Sequence, residues 1–119
     1  MKILICGATG FIGRNLVESL SKNPGNIITA VFNKKPPFFI DNVNFIQADL
    51  TISEDINKVV KSQDIVIQAA ANTTGVKDVV ERPYVHVTDN AVMNSLILKS
   101  CYDNHIKKFI FFSCTVMYQ

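Results

Sequence analysis

The sequence has only three cysteines, Cys6, Cys101 and Cys114, and no CxxC pair. An odd set without that spacing supports neither a disulfide framework nor a zinc site, and it makes a reducing cytoplasm the default location. Charge of one sign is missing too. Twelve basic residues against ten acidic ones leave a formal net charge of +2, too little to argue for nucleic acid or a membrane surface as a partner. No apolar stretch approaches the ~20 residues of a membrane span. The opening Met1-Lys2-Ile3-Leu4-Ile5-Cys6 has an apolar run of only four residues before Gly7, against the ~7–15 of a secretory signal, and reads as a buried strand. There is no internal repeat and no linker. What is present is 119 residues, 48% of them hydrophobic. That suits one compact domain over 1–119, burying roughly two thirds of its unfolded surface, and not a disordered chain.

The order of elements is regular. Ile3 to Cys6 is an apolar run of the kind found in a parallel strand covered on both faces. Ile12, Leu16, Val17 and Leu20 then recur at helical spacing until Asn23-Pro24-Gly25 stops the helix. Ile27 to Phe32 is a second strand, rich in β-branched residues, and Pro36-Pro37 keeps the following loop irregular. Val43 to Ala48 is a third strand, with Thr51 or Ser53 as cap for a short helix through Ile56, Val59 and Val60. Asp64 to Gln68 is a fourth strand. A long helix follows over Tyr84 to Asn104, with Val92, Leu96 and Cys101 on its inner face, and Lys108 to Phe112 is a fifth strand. Strict alternation of strand and helix predicts an α/β Rossmann-type parallel sheet with helices on both faces, strand order 3-2-1-4-5.

The chemistry begins where the first strand ends. Gly7-Ala8-Thr9-Gly10-Phe11-Ile12-Gly13 is a GxxGxxG pattern set directly between an apolar strand and an amphipathic helix, the context that makes such glycines informative. Gly7 permits the tight turn, Gly10 lets a pyrophosphate approach the backbone, and Gly13 lets the helix pack on the strand. The free N–H groups of the helix start then face the phosphates. A flavodoxin-like domain is disfavoured by the same loop, since FMN phosphate is usually held on Ser/Thr-rich loops.

With these pieces the chain resembles the extended short-chain dehydrogenase/reductase group, the NAD-dependent epimerase/dehydratase family. The matching segments are the glycine loop, Val66-Ile67-Gln68-Ala69-Ala70-Ala71, Arg82-Pro83, Asn90-Ala91-Val92, and Lys108-Phe109-Ile110-Phe111-Phe112-Ser113. Within the group, the triple alanine and the Ser-Cys followed by a Tyr are most similar to the GDP-fucose synthase-like epimerase/reductases. The resemblance implies cofactor contacts from Gly7, Thr9, Gly10, Phe11, Ile12, Gly13, from Asn33, Lys34, Lys35 after the second strand, from Asp49 and Leu50, and from Ala69, Ala70, Ala71. Asp49 reads either as the family's adenine-facing Asp or as a turn or cap residue. No carboxylate stands at the end of the second strand, where an NAD-preferring protein usually places one. Lys34 and Lys35 there suit a 2′-phosphate, so NADP(H) is expected over NAD(H), although lysine pairs are also commonly solvated loop charges.

The family's catalysis needs a Ser or Thr hydroxyl and a Tyr-x-x-x-Lys pair. Tyr84, Tyr102 and Tyr118 are followed four residues later by Thr88, Ile106 and nothing, so that pair is not in this chain. An ungapped match places the hydroxyl position on Cys114, whose thiol is a weak donor. A one-residue shift gives it to Ser113 or Thr115. With a gap, Cys114 instead matches the epimerisation-base cysteine of the GDP-fucose synthase-like enzymes, and a buried apolar cysteine is the alternative to all three. His86 and His105 lie near helix ends and suit solvated or capping roles. The resemblance therefore implies the N-terminal, NAD(P)-binding part of an enzyme acting by hydride transfer on a sugar nucleotide (GDP-, UDP- or dTDP-linked), homodimeric at full length. A substrate lobe is expected beyond Phe112, leaving this chain silent alone and prone to self-association. The competing reading is a non-catalytic dinucleotide-sensing module.

Overall fold

The computed structural model describes residues 1–73 and 80–113. Its elements are β1 (Lys2–Cys6), α1 (Phe11–Leu20), β2 (Ile27–Phe32), β3 (Val43–Gln47), α2 (Ser53–Val60), β4 (Ile65–Gln68), α3 (Tyr84–Asp103) and β5 (Lys108–Phe111). The strands form one parallel sheet in the order β3-β2-β1-β4-β5, as the alternation predicts.

The apolar run of β1 is divided between two cores. Leu4 and Cys6 face α2 and α3 with Ile56, Val59, Val60, Met93 and Ile97. Ile3 and Ile5 face α1 with Val17, Ile28 and Ile67. Every β1 side chain from Ile3 to Cys6 is buried because helices cover both faces, which is why the strand shows no polar alternation. The central place of β1 in the sheet puts its C-terminal end, and hence the glycine loop, at the point where strand order reverses. In open α/β sheets this is where a crevice opens for ligands.

Several expectations shift. Strands β3 and β5 stop one residue early, although Ala48 and Phe112 still donate their N–H groups to Phe32 and Gln68. Strand β4 begins at Ile65, and Asp64 serves as an anchor whose carboxylate accepts from the Lys2 amide at 2.8 Å and the Lys107 ammonium at 2.7 Å. Neither Thr51 nor Ser53 caps α2. Its cap residue is Ile52, without a side-chain bond. Val92 is 41% exposed, whereas Cys101 is buried and Leu96 packs against the core as expected, joined on the inner face of α3 by Met93, Ile97 and Ser100. Ile12 is likewise exposed, so Gly13 and Val17 carry the buried face of α1.

Candidate functional site

Gly7 follows β1 with φ +75°, in the left-handed region that favours glycine. A Cβ on it would stand 2.6 Å from the Ala70 Cα and 2.8 Å from the Ala69 carbonyl oxygen. The turn closes with the Gly10 N–H donating to the Gly7 carbonyl at 3.0 Å, while the Ala8 N–H donates to Val31 at 2.8 Å. A Cβ on Gly13 would come within 2.1 Å of that same Gly7 oxygen, so α1 sits directly on the turn. Gly10 differs from both. It is the extended N-cap of α1 with no side chain to satisfy the first-turn donors, and an added Cβ would meet only the Gly7 oxygen, at 3.3 Å. The space in front of it is otherwise open.

That space is a cleft of about 930 Å³, at the upper end of the roughly 300–1,000 Å³ usual for ligand sites. Gly7, Thr9, Gly10, Phe11 and Ile12 form its floor. Asn33, Lys34 and Lys35 enter from the tip of β2, Asp49 and Leu50 from the tip of β3, and Ala69, Ala70 and Ala71 from the tip of β4. The structure thus brings together every residue expected at the cofactor site except Gly13, which lies beneath the floor and is buried. Ser113 is exposed just past β5. Cys114, Thr115 and Tyr118 lie outside the described residues.

Asp49 is both a turn residue and a cleft residue. Its Oδ1 accepts from the Thr51 hydroxyl at 2.7 Å and the Thr51 amide at 2.9 Å. These bonds, with a smaller contribution from the nearby Lys34 charge, hold its carboxyl below the usual aspartate range. Asp55 in turn accepts from the Asp49 amide at 3.0 Å, and Gln47 donates to the Asn33 carbonyl at 2.9 Å, bracing the β2 loop.

The sequence reading missed Asn72, Thr73, Asp89 and Met93, which also line the cleft. Asn72 is held three ways. Its N–H donates to Asn90 Oδ1 at 2.7 Å, its carbonyl accepts from Asn90 Nδ2 at 3.1 Å, and its own amide donates to Asp89 Oδ2 at 2.7 Å. Nothing local signals this, because the partners come from α3. The two described cysteines, Cys6 and Cys101, are both buried. Burial pushes the Cys6 thiol up to about 12, with a further push from Cys101, and burial pushes Cys101 up to about 11. Among the described residues no group of three or more His, Cys, Asp or Glu is placed to hold a metal, and no helix is long and apolar enough to cross a membrane.

The family model described as "NAD dependent epimerase/dehydratase family" matches residues 3–119. The chain belongs to that family. Among its curated members, a UDP-glucose 4-epimerase from Vibrio cholerae is 30% identical over 93% of this chain and 34% of its own length. A GDP-L-fucose synthase from Azorhizobium caulinodans is 27% identical over 98% of this chain and 34% of its own. The chain thus spans about a third of the length of the curated relatives it matches. A UDP-glucose 4-epimerase of known structure superposes with a TM-score of 0.85 at 25% identity, covering 99% of this chain and 37% of that one. The parallel sheet of this chain is therefore the one found in that epimerase.

Proposed function

We propose that this chain is the dinucleotide-binding part of an enzyme that epimerises, dehydrates or reduces a sugar nucleotide by hydride transfer. One observation carries the reading: the uncapped helix start at Gly10 opens into a single cleft that runs from the tips of β2 and β3 to the tip of β4. A dinucleotide fits it. The N–H groups of Phe11 and Ile12 and the positive helix end would take the phosphates. The adenosine half would lie toward Asp49 and Leu50, where the Thr51 bonds use only Oδ1 of Asp49 and leave Oδ2 for an adenine amino group. The second half would lie over Ala69, Ala70 and Ala71. When bound, the nicotinamide supplies the hydride acceptor or donor.

NADP(H) is favoured over NAD(H), because Asn33, Lys34 and Lys35 line the cleft at the tip of β2, where no carboxylate stands to meet a ribose 2′-OH. The loop of Ser113, Cys114 and Thr115 is assigned to the nicotinamide side, and the full-length protein is read as a homodimer. Proton transfer needs the Tyr-x-x-x-Lys pair, which this sequence does not contain, so NADPH turnover on a 4-keto sugar nucleotide is not expected from the chain alone. Calorimetric titration with NADPH and NADH tests the binding. NADPH should bind about tenfold tighter, the lower end of what a charge-assisted contact supplies at exposed lysines. Replacing Lys34 and Lys35 by Ala should remove that margin, and Gly10→Ala should abolish binding of both. Unchanged affinity in Gly10→Ala would refute the site, and equal affinities of the unmutated chain would refute the NADP preference.

A further inference from the structure

Beyond the end of β4, the chain uses a side-chain amide where the sheet offers no strand. Gln68 is 1% exposed, and its amide is fully engaged. Oε1 accepts from the Ala70 N–H at 3.2 Å, and Nε2 donates to the Ala70 carbonyl at 3.2 Å and to Asn94 Oδ1 on α3 at 2.8 Å. One planar group thus holds both polar atoms of Ala70 and ties them to the helix. A carboxylate has no donor for this task, and an apolar side chain has neither donor nor acceptor.

The consequence follows from the trans peptide, whose C=O and N–H point in opposite directions. With the Ala70 N–H turned onto Gln68, the Ala69 carbonyl must face the other way. It does so, lying 2.8 Å from the place a Cβ on Gly7 would take. By the same geometry, holding the Ala70 carbonyl on Gln68 leaves the Ala71 N–H directed away from Gln68, and Ala71 itself lines the cleft. Gly7 leaves no slack on that side, since its Cα lies within a methyl group's reach of Ala70.

We propose that Gln68 is a positioning residue that fixes the 69–71 peptides, so that the Ala71 N–H is offered to the nicotinamide half of the cofactor while the Gly7 turn is braced from behind. This rests on the dinucleotide reading above. Gln68→Glu keeps the shape but loses the donor, so the Ala70 carbonyl would face an acceptor. In the 119-residue chain, Gln68→Glu should weaken NADPH binding about tenfold at about pH 8 and leave AMP, a probe of the adenosine half, unaffected. Lowering the pH to about 5 should restore most of the NADPH affinity, because a buried carboxyl takes up a proton readily and then regains a donor. Asn94→Ala, a milder change, should weaken NADPH binding in the same direction by about threefold if Gln68→Glu does not fold.

Asn57→Ala serves as the control. It removes the 2.7 Å bond from the Ser100 hydroxyl elsewhere on α3, and should lower the melting temperature without changing NADPH affinity. Unaltered NADPH affinity in both the Gln68 and Asn94 variants, with the unmutated chain binding normally, overturns the positioning role alone. Equal losses for AMP and NADPH also overturn it, because they point to general loosening. If the unmutated chain binds neither NADPH nor NADH, the cofactor reading falls and takes this proposal with it.

Discussion

At the scale of single residues, the three glycines of the loop are not equivalent, although the sequence presents them as one motif. Gly7 and Gly13 are required by the fold. One holds a positive φ against Ala70, and the other leaves no room above the Gly7 carbonyl. Gly10 is required by the proposed ligand, since only the Gly7 oxygen at 3.3 Å opposes a Cβ there. Thermal and denaturant unfolding should separate these roles. Gly13→Ala should cost about 3 kcal/mol or more, because a backbone carbonyl cannot yield as a side chain does. Gly10→Ala should cost under about 1 kcal/mol, the usual range for an N-cap exchange, while still losing the dinucleotide. Similar stability losses in the two variants would contradict this division. The spacing was readable because turn and helix start are local demands. That Gly7 is also pressed by the chain after β4 was not, since it depends on β1 and β4 lying side by side.

At the scale of elements, the end of α3 is informative. The Ile106 N–H donates to the Cys101 carbonyl at 3.0 Å and the His105 N–H to the Tyr102 carbonyl at 3.1 Å. This double bond pattern normally closes on a left-handed glycine, yet here it closes on His105 at φ +53°. The capping alternative for His105 is thus met through its backbone. His105→Gly should stabilise the chain by about 0.5–1 kcal/mol, the relief of a left-handed non-glycine less the entropy that glycine adds to the unfolded state. A lowered denaturant midpoint would contradict it. The strand ends offer a pH test. Asp64 joins the starts of β1 and β5, and its bonds to Lys107 and the Lys2 amide lower its pKa. A depressed carboxyl pKa stabilises the fold above the unfolded value of about 3.9, and the effect is lost as pH falls through the folded value. The melting temperature of Asp64→Asn should therefore lie below that of the unmutated chain at about pH 6, with the gap closing as the pH falls below the unfolded value. A gap independent of pH would assign the loss to something other than this charge. That Val92 is exposed, while Leu96 and Cys101 pack inward as expected, has a simple cause. Met93, Ile97 and Cys101 are buried, while Tyr84, Val87, Val92, Leu98 and Tyr102 are exposed apolar residues on the same helix, so periodicity alone could not set its rotation.

At the scale of the whole molecule, β5 is an outer strand of the sheet among the described residues. Phe111 is 44% exposed and Phe112 43%. An apolar edge with unpaired N–H and C=O groups recruits further strands. The isolated chain is expected to self-associate at micromolar concentration, and Phe111→Lys, which places a charge on that edge, should shift it toward monomer. Light scattering behind a sizing column reads both. A monodisperse monomer of the unmutated chain would show that this edge is protected.

The sequence by itself determined the α/β class, the strand order and the glycine loop at the end of β1. These follow from local hydrophobic runs, from the alternation of strand and helix, and from the handedness of crossovers, all properties of neighbouring residues. Asn33, Lys34, Lys35, Asp49 and Ala69 to Ala71 are expected from the family resemblance, and the structure sets them along one cleft because each lies at the C-terminal tip of a strand and parallel strands bring those tips together. Only the tertiary structure decided that Asp89 and Asn90 of α3 clasp Asn72, and that Gln68, tied to Asn94, holds Ala70. The physical reason is the same in each case. A polar group in a packed interior must find a partner, and which partner it finds depends on how a helix is docked, which no local pattern specifies.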